Sequence, residues 1–138
     1  MKQTIAAMVL LVISSAALPG CGGGGPRPVT DFTATVGADC VQRVEITAHS
    51  FFFEPSRVTV KAGVPVELTL HNASLVVPHN FTCDAAKDGG FSVEADLGML
   101  KGGATLKFTP RKAGEFHFFC DKDHHEGKGM TGTLVVTP

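Results

Sequence analysis

The chain has 138 residues, with 12 Lys plus Arg against 13 Asp plus Glu and a formal charge of -1 when histidine is neutral. That length describes one domain, and so even a balance supplies no basic field for phosphate backbones, which argues against nucleic acid as a partner. With 43% hydrophobic residues and ten Phe there is enough apolar material for a packed core, which excludes wholesale disorder.

Met1 and Lys2 precede an apolar run over residues 5–18, followed by Leu18-Pro19-Gly20-Cys21. A charged start and a short apolar stretch are the parts of an export signal. A membrane span takes about 20 apolar residues, and this run is interrupted by Ser14 and Ser15. Leu18-Pro19-Gly20-Cys21 resembles a bacterial lipobox, in which cleavage before the cysteine leaves a lipid on Cys21; the plainer alternative is signal cleavage near Ala17. Gly22 to Gly25 and Pro26-Arg27-Pro28 then read as a flexible tether with a stiffer end. The expected organisation is a lipoprotein-type signal peptide over residues 1–20, a tether and lead-in over 21–40, and a folded domain over 41–138. The domain is expected outside the cytoplasm, periplasmic or on the cell surface, held to the membrane through Cys21.

Beyond residue 40, short runs alternate apolar with polar residues and are separated by turn signals, the pattern of an all-β sandwich or barrel. Val44, Ile46 and Ala48 alternate with Arg43, Glu45 and Thr47; Val58 and Val60 alternate with Arg57, Thr59 and Lys61; Val66, Leu68 and Leu70 alternate with Glu67 and Thr69. Each predicts a half-buried strand. Lys61-Ala62-Gly63, Lys101-Gly102-Gly103 and Arg111-Lys112-Ala113-Gly114 mark reversals. Residues 83–87 offer at most one irregular helical turn. The last two strands are expected over 115–120 and 131–137, with Phe116, Phe118 and Cys120 on one face and His117 and Phe119 on the other. That alternation puts the Cys120 thiol at the rim of the core.

The loop after Cys120 reads Asp121-Lys122-Asp123-His124-His125-Glu126-Gly127-Lys128-Gly129-Met130, and Pro78-His79-Asn80-Phe81 supplies a distant imidazole at a strand start. Two His, one Cys and a weak axial Met suit copper shuttling between Cu(I) and Cu(II), since sulfur favours the reduced ion and imidazole accepts both. Either His124 or His125 could serve; His125 has four residues between it and Cys120 and four between it and Met130. His124 then lies at the edge of the site.

These residues resemble the cupredoxins, the small blue copper proteins, over residues 43–137. Phe53-Glu54-Pro55 with the segment from Val58 to Gly63 is similar to the family's early strands, Pro78-His79-Asn80-Phe81 to its upstream ligand segment, and Cys120-x4-His125-x4-Met130 to its ligand loop. The loop spacing is nearer to rusticyanin-like and sulfocyanin-like members than to plastocyanin. The resemblance implies a Greek-key β-sandwich and one type 1 copper ion held by His79, Cys120, His125 and Met130. It also implies that Asn80 ties the two ligand segments together and donates toward the thiolate. A one-electron carrier that transforms no substrate follows, exchanging electrons with redox proteins such as cytochromes or membrane oxidoreductases. The alternative is a copper chaperone or store, which favours exposed Met and His clusters over a cysteine held between strands.

Export places the chain where disulfides persist, and with Cys120 assigned to the metal, Cys40 and Cys83 remain as a possible pair. Met99 is expected to pack, or to join Leu97 and Leu100 in an apolar patch about an exposed ligand histidine. His49, His71 and His117 have no ligand spacing.

Overall fold

Ten strands build two facing sheets in a computed structural model that describes residues 27–138. They are β1 (Asp31–Thr33), β2 (Gln42–His49), β3 (Phe52–Glu54), β4 (Arg57–Lys61), β5 (Val66–Asn72), β6 (His79–Ala85), β7 (Phe91–Gly98), β8 (Gly103–Phe108), β9 (Gly114–Phe119) and β10 (Thr131–Thr137). The expected export signal, Cys21 and most of the tether lie outside the described residues. Among the described residues, no helix is long and apolar enough to cross a membrane.

One sheet has the order β1-β4-β10-β9-β6-β7 and the other β3-β2-β5-β8. Most neighbours are antiparallel, but β1 and β10 both run parallel to β4, and β2 runs parallel to β5. Parallel neighbours require the chain to cross between sheets, which makes this a Greek-key sandwich rather than a meander. The expected all-β fold is thus the observed one.

Side-chain alternation becomes burial directly. In β2 the even-numbered residues Val44, Ile46 and Ala48 are buried while Arg43 and Glu45 are exposed, and β5 likewise buries Val66, Leu68 and Leu70. Phe53 from the smaller sheet meets Phe81 and Phe118 from the larger one, with ring centroids 5.8 and 5.5 Å away and near-perpendicular planes. Such edge-on contacts suit the ring quadrupoles and add to the area they bury. A Cβ at Gly132 would lie 2.2 Å from the Phe118 ring, so only glycine lets β10 pass that close.

Two details refine the expectations and a third corrects one. The fold starts before residue 41: β1 pairs with β4, and Ala34 belongs to the core. Three residues of alternation are too few to announce such a strand. Residues 83–85 continue β6, where pairing with β7 sets Cys83 opposite Val93, and the irregular turn follows over residues 86–89, closed by the Gly89 N–H donating to the Ala85 carbonyl at 2.8 Å. Cys40 and Cys83 are both free thiols. Cys83 is 1% exposed on the inward face of β6, whereas Cys40 is exposed on the turn before β2, so their side chains occupy different layers. The expectations also omit β7, although Phe91, Val93, Ala95 and Leu97 alternate with Ser92, Glu94 and Asp96 in plain view.

Candidate metal centre

At one pole of the sandwich the start of β6, the end of β9 and the β9–β10 loop converge. His79 is the first residue of β6, and the β6–β7 pairing has a bulge between His79 and Asn80. A bulge interrupts the two-residue alternation, and here His79, Asn80 and Phe81 are buried in succession. The His79 ring and the Asn80 amide can therefore both face the pole.

Cys120 follows β9 and is fully buried, as its alternation with Phe118 requires. The loop after it coils through two 3-10 turns, Lys122–His124 and Glu126–Lys128. His125 stands between them, its N–H donating to the Lys122 carbonyl at 2.8 Å and its own carbonyl accepting from Lys128 and Met130, both at 3.0 Å. Gly129, with φ of 93°, reverses the chain so that Met130 enters the core, where it is fully buried. The Cys120 N–H donates to the Met130 carbonyl at 3.2 Å, closing the loop on itself.

One ligand atom from each of His79, Cys120 and His125 can be chosen so that all three lie within 4.8 Å of one another. His79 Nδ1 is 4.0 Å and His125 Nδ1 is 3.5 Å from Cys120 Sγ. The backbone N–H of Asn80 donates to the same sulfur at 3.4 Å. The Asn80 side chain joins the two segments: its Nδ2 donates to Asp121 Oδ1 at 2.7 Å, and its Oδ1 accepts from the Asp121 N–H at 3.0 Å. His124 is not brought to the sulfur; it is exposed and has φ of 58°.

Burial dominates the electrostatics. It pushes the His79 pKa down to about 4, with a smaller contribution from His125. His125 is lowered too, first by burial and then by Lys128, against a weaker opposing pull from Asp123. Neutral imidazoles keep a lone pair for a metal at neutral pH. Of the two His79 ring nitrogens it is Nδ1 that faces the Cys120 sulfur, while Nε2 is buried with no hydrogen-bond partner. A soft sulfur, two imidazoles and a buried thioether in one dry pole fit one copper ion better than zinc, to which the thioether adds little.

Several residues at this pole were not anticipated. Asn72 donates to the Gly98 and Val77 carbonyls at 2.7 and 3.1 Å, pinning the loop that delivers His79. Asp121 answers Asn80, and Phe51 packs on His125 with ring centroids 4.8 Å apart. The run Phe51-Phe52-Phe53, too apolar to alternate, was the one available signal for the last. Leu97 is buried, whereas Met99 and Leu100 are 54% and 77% exposed, so Met99 does not pack and Leu97 leaves the expected patch. The exposed apolar group is instead Leu75, Val76, Met99 and Leu100, joined by a Leu100 N–H to Leu75 carbonyl bond of 3.2 Å. His125 itself is only 3% exposed.

Comparison with known proteins agrees with this geometry. The cupredoxin-like domain family matches residues 4–136. A plastocyanin of Scenedesmus fuscus is 34% identical over 112 residues, covering 77% of this chain and 99% of that protein. Among solved structures, dithionite-reduced auracyanin from the photosynthetic bacterium Roseiflexus castenholzii aligns with a TM-score of 0.63 at 21% identity, over 76% of this chain and 99% of that one. The metal-binding domain, with Cu(I), of the Cu(I)-exporting P-type ATPase CopA of Streptococcus pneumoniae D39 aligns with a TM-score of 0.60 at 19% identity, over 81% and 100%. At these identities the structural likenesses speak to fold.

Proposed function

The chain belongs to the cupredoxin-like family, and on that footing we propose that it carries single electrons on one copper ion held by His79, Cys120 and His125, with Met130 as the axial thioether. The observation that carries this reading is the buried convergence of one sulfur and two ring nitrogens within 4.8 Å. Copper, when bound, supplies the Cu(I)/Cu(II) couple and an intense visible charge-transfer band with the thiolate.

The protein's own residues make that couple usable. Backbone hydrogen bonds lock the loop from Cys120 to Met130, and the Asn80–Asp121 pair fixes that loop against β6, so the donors are held in place before any ion arrives. A pre-set donor arrangement has little to rearrange when an electron is gained or lost. The Asn80 N–H supports negative charge on the Cys120 sulfur. Ligands between 0% and 3% exposed keep water out and make surrender of the metal to a chaperone's acceptor difficult, which favours electron transfer over copper delivery.

The partners in this reading are redox proteins outside the cytoplasm, and the chain reaches them from a membrane surface through a lipid on Cys21. The export signal and the Leu18-Pro19-Gly20-Cys21 motif support that placement; mass analysis of the mature N-terminus tests it, since an unmodified residue 21 would remove the anchor. Copper binding is tested by visible and electron paramagnetic resonance spectra of the Cu(II)-loaded chain. An intense blue band, absent from Cys120→Ser, and a shifted potential in Met130→Leu are expected. A band that survives Cys120→Ser removes the assignment.

A further inference from the structure

Three consecutive phenylalanines after His49 and Ser50 have three different fates. Phe53 enters the core at 1% exposure. Phe52 stacks on His49, with centroids 4.5 Å apart, and lies under the Arg27 guanidinium at 4.0 Å. Phe51 is only half-buried, stands against the His125 ring at 4.8 Å with planes 73° apart, and carries the Lys128 ammonium 4.3 Å from its own centroid.

Phe51 also has φ of 66°, the left-handed region that glycine or asparagine occupies freely and a bulky side chain does not. A turn between paired strands favours those residues at such a position. Core filling does not explain a phenylalanine there, because Phe51 is only half-buried and Phe53 is the ring of this run that enters the core. What the strained conformation does achieve is contact with His125.

That contact matters because of how His125 is held. A metal-ligating histidine ordinarily donates its second ring nitrogen to a carbonyl or carboxylate, which fixes the ring. Among the described residues, no protein group other than the Cys120 sulfur hydrogen-bonds the His125 ring, whose Nε2 is not sealed from solvent. Its orientation therefore depends on packing: the His79 ring at 5.1 Å and Phe51. Lys128 lies in the same loop as His125, bonded through its N–H to the His125 carbonyl, so the loop grips Phe51 at two points.

We propose that Phe51 is a positioning residue for the reading above: strained backbone on the β2–β3 turn presents its ring as a wall that fixes the His125 imidazole, with Lys128 holding the wall in place. The smaller sheet thereby reaches across to the ligand loop and orients by aromatic contact a ring that no protein carbonyl or carboxylate holds.

The test uses the full chain with Phe51→Gly, Phe51→Leu and Phe51→Tyr. Nuclear magnetic resonance of the metal-free protein reads the His125 ring rotamer, and titration with copper alone reads affinity. In the unsubstituted protein one rotamer is expected. Phe51→Gly relieves the strain, so its thermal midpoint should hold or rise while the His125 ring averages between rotamers and copper affinity falls about tenfold. Phe51→Tyr should restore both readouts. A single His125 rotamer in Phe51→Gly overturns the proposal. If that variant does not fold, Phe51→Leu decides: an averaged ring in a folded chain supports positioning, and a fixed ring overturns it. Failure of the unsubstituted chain to bind copper would end the copper reading, while the ring readout in the metal-free protein would still decide the role of Phe51.

Discussion

The two poles of the sandwich bury polar side chains in opposite ways. At the pole away from the ligand loop, Gln42 is fully buried, and both ends of its amide are satisfied: Nε2 donates to the Lys61 and Val64 carbonyls at 3.1 and 3.3 Å, and Oε1 accepts from the Lys61 N–H at 2.7 Å. It staples the β4–β5 turn to β2. At the ligand pole His79 is equally buried, yet its Nε2 has no partner and its Nδ1 faces a sulfur 4.0 Å away. A buried polar group with every bond made stabilises architecture, whereas a buried ring nitrogen turned to a thiol and a second imidazole marks a place built to receive something.

Gln42→Leu is the strongest way to break this contrast. It strands the Lys61 N–H and two carbonyls, and should cost about 3 kcal/mol in denaturant unfolding. A neutral outcome would mean that the far pole is no more dependent on its amide than the ligand pole is on its imidazole. Gly132→Ala, which drives a methyl into the Phe118 ring beside the ligand loop, should cost about 2 kcal/mol in the same measurement.

His79→Leu should do the reverse of Gln42→Leu. Removing an unpaired buried polar atom should leave the metal-free protein within about 1 kcal/mol of its original stability, or raise it, while abolishing copper uptake. The pH dependence sharpens the point. His79 has a pKa of about 4 in the fold against an ordinary value of 6.5, so between those values the unfolded chain binds the extra proton. Stability of the metal-free protein is therefore complete above about pH 6.5 and declines as pH falls toward the folded value; His79→Leu should flatten that slope in a series of thermal melts. Smallest in free energy is the thiol contrast. Exposed Cys40 should be alkylated quickly, while Cys83, whose pKa burial pushes up to about 12, should react only on unfolding, as read by mass spectrometry.

The strands legible in advance were those with one face on the core: β2, β4 and β5 carry strict alternation, β9 and β10 are short apolar-rich runs, and the pleat converts the pattern to burial without further information. β1 was too short to show a period, and β6 was obscured by the bulge that buries His79, Asn80 and Phe81 together. For the site, residue type and spacing left His124 and His125 both open, the resemblance to the family's ligand loop favoured His125, and the structure brings His125 to the sulfur. The supporting contacts from Asn72, Asp121 and Phe51 were not legible, since each joins residues from separate turns.

By itself, then, the sequence determined the class of fold and the donor chemistry, because alternation and residue type are local properties of the chain. Only tertiary structure decided that Cys40 and Cys83 stay apart, that Met99 faces outward, and that Phe51 meets His125. Those outcomes depend on which strands become neighbours and on how a bulge or a turn re-aims one side chain, and distance across a sandwich is not written into spacing along the chain.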